Sequence, residues 1–264
     1  MATLAQEPLV PSVSDERFFL RGAIAMTVIV VAGFSLQLAM GRSTFASPVR
    51  VHAHAILFMG WVAIYLMQNI FVATGRMALH KRLGWVAAVW LVPMVVSGFV
   101  VTLAMVRNGT VPFFFQPLQF LVFDPVAILT FAGLTIAAIL LRRRTEWHRR
   151  LHFCGMTILL APAFGRILPL PLLQPWAWET AFAVTLLFPI VGALSDVRRS
   201  GRVHSAWSCG IATIIGSFAL TQAITYTPIG TAIYDLVTEG YPGAAVDPLD
   251  FPPAPSGTQI TGRT

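Results

Sequence analysis

Apolar stretches about as long as a bilayer crossing alternate along the chain with short polar or basic punctuation. They fall at 18–40, 52–74, 82–106, 117–141, 150–169, 175–196 and 205–226. The interruptions are Gly41-Arg42-Ser43, Gly75-Arg76, Arg107-Asn108-Gly109, Arg142-Arg143-Arg144, the run from Pro169 to Pro175, and Arg198-Arg199-Ser200-Gly201-Arg202. About 30 Å of hydrocarbon needs about 20 helical residues. In lipid only helices and closed barrels satisfy their own backbone. The runs are continuous in Leu, Ala, Val, Ile and Met and lack the alternation of barrel strands. The pattern predicts an all-α, polytopic membrane helix bundle of about seven transmembrane helices.

Composition agrees. The chain is 56% hydrophobic and 11% charged, where a soluble domain carries about 25% charged residues. The net charge of +7 does not point to nucleic acid, because the basic residues sit in short clusters between apolar runs and form no groove for phosphates. Their placement is a topology signal. Arg17 and Arg21, then Arg76, Lys81 and Arg82, then Arg142, Arg143, Arg144, Arg149 and Arg150, then Arg198, Arg199 and Arg202 put thirteen cations on one side. The other side holds Arg42, Arg50, Arg107 and Arg263. The positive-inside rule predicts a cytoplasmic N-terminus and a C-terminus on the opposite side of the membrane.

Three regions follow. Residues 1–17 form a cytoplasmic segment, polar enough (Glu7, Asp15, Glu16) that the first apolar run reads as a span and not as a signal peptide. Residues 18–226 form the seven-helix domain. Residues 227–264 form a periplasmic tail, with an amphipathic helix expected over 229–239. From Gly240 onward, Pro242, Pro248, Pro252, Pro253 and Pro255 predict a flexible chain. Cys154 and Cys209 fall in spans and read as buried small hydrophobes.

An internal echo organises the middle of the sequence. Arg76, three residues, His80, Lys81, Arg82 and Leu83 are repeated as Arg144, three residues, His148, Arg149, Arg150 and Leu151, with the histidines 68 positions apart. Arg202-Val203-His204 offers a weaker third copy. The repeat predicts helical hairpins, spans 2–3, 4–5 and 6–7, in parallel orientation.

All six histidines sit at span starts. His80, His148, His152 and His204 lie at the inner face. His148 and His152, four apart, share one helical face. With His80 or His204 opposite, they could ligate haem b, with Lys81, Arg82, Arg149 and Arg150 pairing the propionates. They could equally hold a single metal ion such as zinc or iron, with Glu146 as a general base. Haem or a redox metal makes the chain a redox or accessory protein with a redox partner or other membrane subunits, whereas a metal ion with Glu146 as base would make it an intramembrane metal hydrolase. A second polar group lies toward the outer face. Asp124 and Arg166 are expected to pair within two spans, near His52 and His54 and at the depth of Glu179. That pocket would suit a non-enzymatic small-solute carrier or assembly partner. Gln37 and Gln68 read as helix–helix glue. Trp61, Trp85, Trp90, Trp176 and Trp178 read as interfacial or lipid-facing.

The motifs His52-Ala53-His54, Trp61, Gln68, Ala73-Thr74-Gly75-Arg76 and Leu79-His80-Lys81-Arg82-Leu83-Gly84-Trp85 resemble a family of uncharacterised bacterial multi-pass inner-membrane proteins. Trp147-His148-Arg149-Arg150-Leu151, leading to Pro162 and Arg166, resembles the later part of the same proteins. The resemblance spans about residues 45–170 and implies fold and location, with no assigned activity. More distantly, histidines at the ends of alternating helices resemble four-helix membrane cytochromes. Those place ligand pairs at both faces, whereas the outer histidines here lie on span two alone.

Overall fold

The computed structural model describes residues 13–257. The rest of the tail, with Arg263, and the N-terminal residues up to 12 lie outside the described residues. The helices are α1 (Val13–Ala39), α2 (Val49–Ala73), α3 (Met77–Arg107), α4 (Pro117–Leu140), α5 (Thr145–Ile158), α6 (Ala161–Ile167), α7 (Ala177–Ser200), α8 (Ser205–Thr225) and α9 (Pro228–Thr238). Two short 3-10 turns, Leu170–Leu173 and Pro242–Ala245, complete the described structure. Six helices, α1 to α4 with α7 and α8, are long and apolar enough to cross a membrane. The chain is a multi-pass helical membrane protein.

The fifth expected crossing, 150–169, is broken into α5 and α6. Leu159 and Leu160 donate to Met156 O and Thr157 O at 3.2 and 3.1 Å, a tightened turn that ends α5. Pro162 then opens α6. A proline supplies no N–H, and its ring crowds the carbonyl four residues back, which weakens the helix at Ile158. Pro93, Pro125 and Pro189 sit inside unbroken helices, so the packing of α6 on α1 and α7 is what turns this weak point into a break. The crossing is still completed. α4 ends beside Arg142 to Arg144, and α7 must start at the opposite end, because its last turns return to the Arg150 side through Asp196. α5 and α6 together bridge the two ends. α6 packs on α1 and α7, and a Cβ at Gly33 of α1 would meet Ala163 O at 2.7 Å. Glycine there is what lets the two backbones approach.

Hairpins α2–α3 and α4–α5 are each packed along their length. At the basic end, Phe18, Phe19, Phe153 and Trp207 form one aromatic cluster, with Phe19 stacked on Trp207 at 6.1 Å and Phe18 on Phe153 at 5.7 Å. Arginines roof it. Arg149 and Arg150 lie 5.0 and 6.0 Å from the Phe19 ring, and Arg199 lies 5.4 Å from Phe18. Arg150 Nε and Nη2 donate to the two Asp196 oxygens at 2.9 Å each, and these side chains are 5% and 4% exposed. Arg199 Nη2 also donates to Asp196, at 2.9 Å. Glu146 accepts from both Arg149 and Arg150. This network ties α5 to α7.

At the opposite end the predicted surface helix is present as α9, packed on α3, α4 and α8. The chain beyond it departs from the flexible tail that composition predicts. Tyr234 Oη donates to Gly243 O at 3.0 Å, Leu118 N donates to Pro248 O at 2.9 Å, and Gln116 Nε2 donates to Leu249 O. Gly243 approaches Val106 O so closely that a Cβ would stand 2.1 Å away. Prolines here fix a short path whose polar groups are met by helix ends, so little apolar burial is needed to hold it. Two tryptophans also differ from expectation. Trp61 and Trp178 are buried among Phe131, Phe123 and Phe218, whereas Trp85 and Trp176 are exposed as expected. Cys154 is buried and Cys209 exposed.

Asp196→Ala leaves Arg150 buried without its bidentate partner. It is expected to cost about 3–5 kcal/mol, and Glu146→Ala, whose carboxylate is more exposed, distinctly less. Thermal unfolding in detergent measures both. Equal and small losses would show that the network does not anchor α5.

Candidate histidine site

The internal echo has a structural counterpart. Helices α3 and α5 start immediately after Arg76 and Arg144, and His80 and His148 are each the fourth helical residue. Their N–H groups donate to Arg76 O and Arg144 O at 3.1 and 3.0 Å. The two hairpins bring these helix starts together, and the rings lie 6.2 Å apart at 86°. His152, one turn deeper on α5, sits 4.7 Å from His148. Three of the four predicted inner histidines therefore meet.

His204 does not join them. It precedes α8 as its N-cap, its Nδ1 accepting the Ala206 N–H at 3.1 Å, and its ring packs 5.7 Å from Trp147. The third copy of the motif is out of register: its histidine stands before the helix, not four residues into it. Burial first, and then the Arg150 guanidinium, hold its imidazole below the usual histidine value. That keeps the neutral form, which is the one able to accept.

Two of the three clustered rings are oriented by neighbours. Ala138 lies in the last turn of α4, where carbonyls lose their helical partners. His148 Nδ1 stands 2.8 Å from Ala138 O. A carbonyl only accepts, so Nδ1 carries the proton and Nε2 of the neutral ring keeps its lone pair. Gln68 of α2 clamps the start of α3. Its amide nitrogen donates to His80 Nδ1 at 2.6 Å and to His80 O at 3.1 Å, and its oxygen accepts from Gly84 N at 2.9 Å. This assigned orientation puts the His80 proton on Nε2. Gln68 is thus more than helix glue: it fixes one ring. His152 hydrogen-bonds to none of the described residues.

Two imidazoles on one tetrahedral ion at Zn–N of about 2.0–2.1 Å have ring centres about 5 Å apart, and two on opposite faces of one iron about 6 Å. The His148–His152 separation of 4.7 Å is near the first value and the His80–His148 separation of 6.2 Å near the second, so the three rings together match neither arrangement as they stand. As the rings stand, no three His, Cys, Asp or Glu side chains among the described residues converge on one metal position. Ligation therefore requires rotation of His152, the uncommitted ring, and a changed proton position on His80. Glu146 is committed to Arg149 and Arg150, which removes it as a general base. Asp196 also engages Arg150, leaving Lys81 and Arg82 as the exposed cations beside His80.

The second predicted group is not assembled. Asp124 accepts a hydrogen bond from Thr102. Arg166 donates to Pro162 O at 2.7 Å and lies 4.1 Å over Phe34. The Asp124–Arg166 pair fails to form because the break before Pro162 sends α6 toward α1 instead of along α4. His52 Nε2 is 3.2 Å from Phe45 O, and His54 stacks on Phe58 at 4.2 Å. Only His54 comes within electrostatic reach of Arg166. Glu179 meets Gln119 instead, at 3.3 Å. On α2, His54, Trp61 and Gln68 recur every seven residues and so share a face that runs from this end toward the histidine cluster.

Sequence reasoning missed Asp196. A lone carboxylate near the end of an apolar span was the available signal, the same one that drew attention to Asp124.

His204→Ala is expected to cost about 1 kcal/mol, as loss of an N-cap does. Folding lowers the pKa of this histidine, so its contribution is complete above the unfolded value of about 6.5 and is lost as pH falls through the lower folded value. His204→Asn keeps a cap and should flatten that dependence in thermal unfolding across a pH series. An unchanged pH profile in the Asn variant would remove His204 as its source. No protein family, curated protein or solved structure matches the chain.

Proposed function

We propose that the chain is a bacterial inner-membrane protein, N-terminus cytoplasmic and C-terminus periplasmic, that holds an imidazole-ligated metal centre at its basic end. The ligands are His148 and His152 with His80, and the role is electron transfer as a redox or accessory subunit of a larger membrane system. Kinship with the uncharacterised bacterial membrane proteins that the His52-Ala53-His54 and Leu79-His80-Lys81-Arg82 motifs resemble belongs to the same reading.

One observation carries it. Two equivalent helix starts bring together three imidazoles, two with Nδ1 already engaged by Gln68 and Ala138 O and a third, His152, with no hydrogen-bond partner among the described residues. His148, whose Nδ1–H faces a carbonyl and whose Nε2 keeps its lone pair, is oriented as metal-ligating histidines are; His80 must first move its proton from Nε2. Imidazole donors suit copper, iron and nickel ions and haem iron, all able to carry an electron, and also zinc, which has no redox chemistry and would contradict the electron-transfer role. Whether the iron is in a haem or the ion stands alone is a question of the occupant, since the donors are shared.

A reduced-minus-oxidised absorption spectrum of the purified protein, with elemental analysis of the same sample, separates the occupants. A haem band gives haem b, and stoichiometric metal without a band gives a single ion. His152→Ala should lower the bound metal or chromophore at least about tenfold, the lower end of the loss seen when even a group behind the ligands is removed, and His204→Ala should leave it unchanged. A metal-free, colourless wild-type protein, or full occupancy in the His152 variant, would contradict the assignment.

A further inference from the structure

At the end opposite the arginine-rich loops, a surface groove of about 360 Å³ lies between α2, α3 and the segment after α9. Its walls differ with depth. Val100, Leu103 and Ala104 of α3 form an apolar strip, and Val100 is well exposed. Above them stand Arg107, at the end of α3, and Arg50, in the first turn of α2. Seven residues separate Val100 from Arg107, about 10 Å along the axis. The groove thus runs from hydrocarbon depth to the level where a span ends.

Arg107 is held in place, and neither of the two cations has a counter-charge among the described residues. Arg107 Nε donates to Val237 O at 3.1 Å, and its guanidinium lies 4.8 Å from the Tyr241 ring. Its terminal nitrogens hydrogen-bond to none of the described residues. Arg50 has neither a hydrogen bond nor an ion pair among the described residues. No acidic side chain among the described residues lines the groove. Glu239, two residues before Tyr241, pairs with neither arginine among the described residues.

We propose that this groove binds an anionic phospholipid, its phosphate between Arg50 and Arg107 and an acyl chain along Val100, Leu103 and Ala104. The vertical order of the walls, cations at the boundary above an apolar strip, matches the order of groups in a phospholipid. Two guanidiniums without an acid select a net-negative headgroup over a zwitterionic one. The docked tail completes the site, because Tyr241 holds Arg107 in place. The inference is independent of the metal centre.

The test is native mass spectrometry of the full chain in detergent supplied with equal amounts of phosphatidylglycerol and phosphatidylcholine. The wild type should retain phosphatidylglycerol preferentially. Arg50→Gln should lower that retention about fivefold, corresponding to about 1 kcal/mol per basic residue near a membrane surface. Ala104→Phe, which fills the strip and leaves both arginines, should lower it as well. Thermal unfolding of each variant without added lipid identifies one that is merely misfolded, in which case the other variant decides. Equal retention of the two lipids, or unchanged phosphatidylglycerol retention in a folded variant, would overturn the proposal. So would displacement of the lipid by millimolar inorganic phosphate, which would assign the arginines to a soluble anion.

Discussion

The bidentate contact between Arg150 and Asp196 fixes the position of α5, and the basic end of the molecule is arranged around it. Taking a guanidinium and a carboxylate out of water is costly, and only good geometry with further hydrogen bonds offsets that cost. Both conditions are met: two bonds of 2.9 Å join the pair, while Glu146 and Arg199 supply further bonds. The guanidiniums lie over Phe18, Phe19 and Trp207, so the aromatic cluster beneath is also covered by charge. Holding α5 against α7 fixes the rotation of α5 about its axis. His148 and His152 are consequently turned toward α3, on the side away from Asp196.

The break between α5 and α6 complements this anchor. A straight helix would carry Arg166 along α4 toward Asp124. The restart at Pro162 directs α6 onto α1 instead, where Gly33 admits it and Phe34 receives the Arg166 guanidinium. One crossing thus serves both ends differently: a full α-helix at the histidines, and a short segment at the opposite end whose polar side chains have separate partners. Discontinuous helices in membrane proteins occur where backbone is buried in protein or lines a cavity, and here it is α1 and α7 that cover the break.

Much of this was legible in the chain. Apolar runs of membrane length needed only a length criterion, and six of the seven became single helices. The echo around His80 and His148 correctly located two equivalent helix starts, because an arginine, a three-residue spacing and a histidine fix the same register at each. His204 lacked the three intervening residues, and it became a cap. The proline at position 162 was visible, but a proline inside a span is compatible with a kink or a break, and neighbouring helices decide which. The Asp124–Arg166 pair failed for that reason, since depth counted along straight helices does not survive a change of direction. Asp196 and Gln68 were hidden for another reason. Their roles depend on which residue of another helix faces them, and periodicity within one helix carries no such information. The docking of Pro242 to Leu249 was hidden likewise, as its bonds go to helix ends far away in sequence.

The histidine cluster is where the fold and the proposed activity meet, and its ligand set is directly measurable. X-ray absorption at the edge of whichever metal accompanies the purified protein reads the atoms bound to it. Imidazole nitrogens at about 2.0–2.1 Å, from at least two histidines and reduced in number by His152→Ala, are the predicted shell. A sulfur shell from Cys154, or oxygen scatterers with no imidazole signature, would contradict a centre built on His80, His148 and His152.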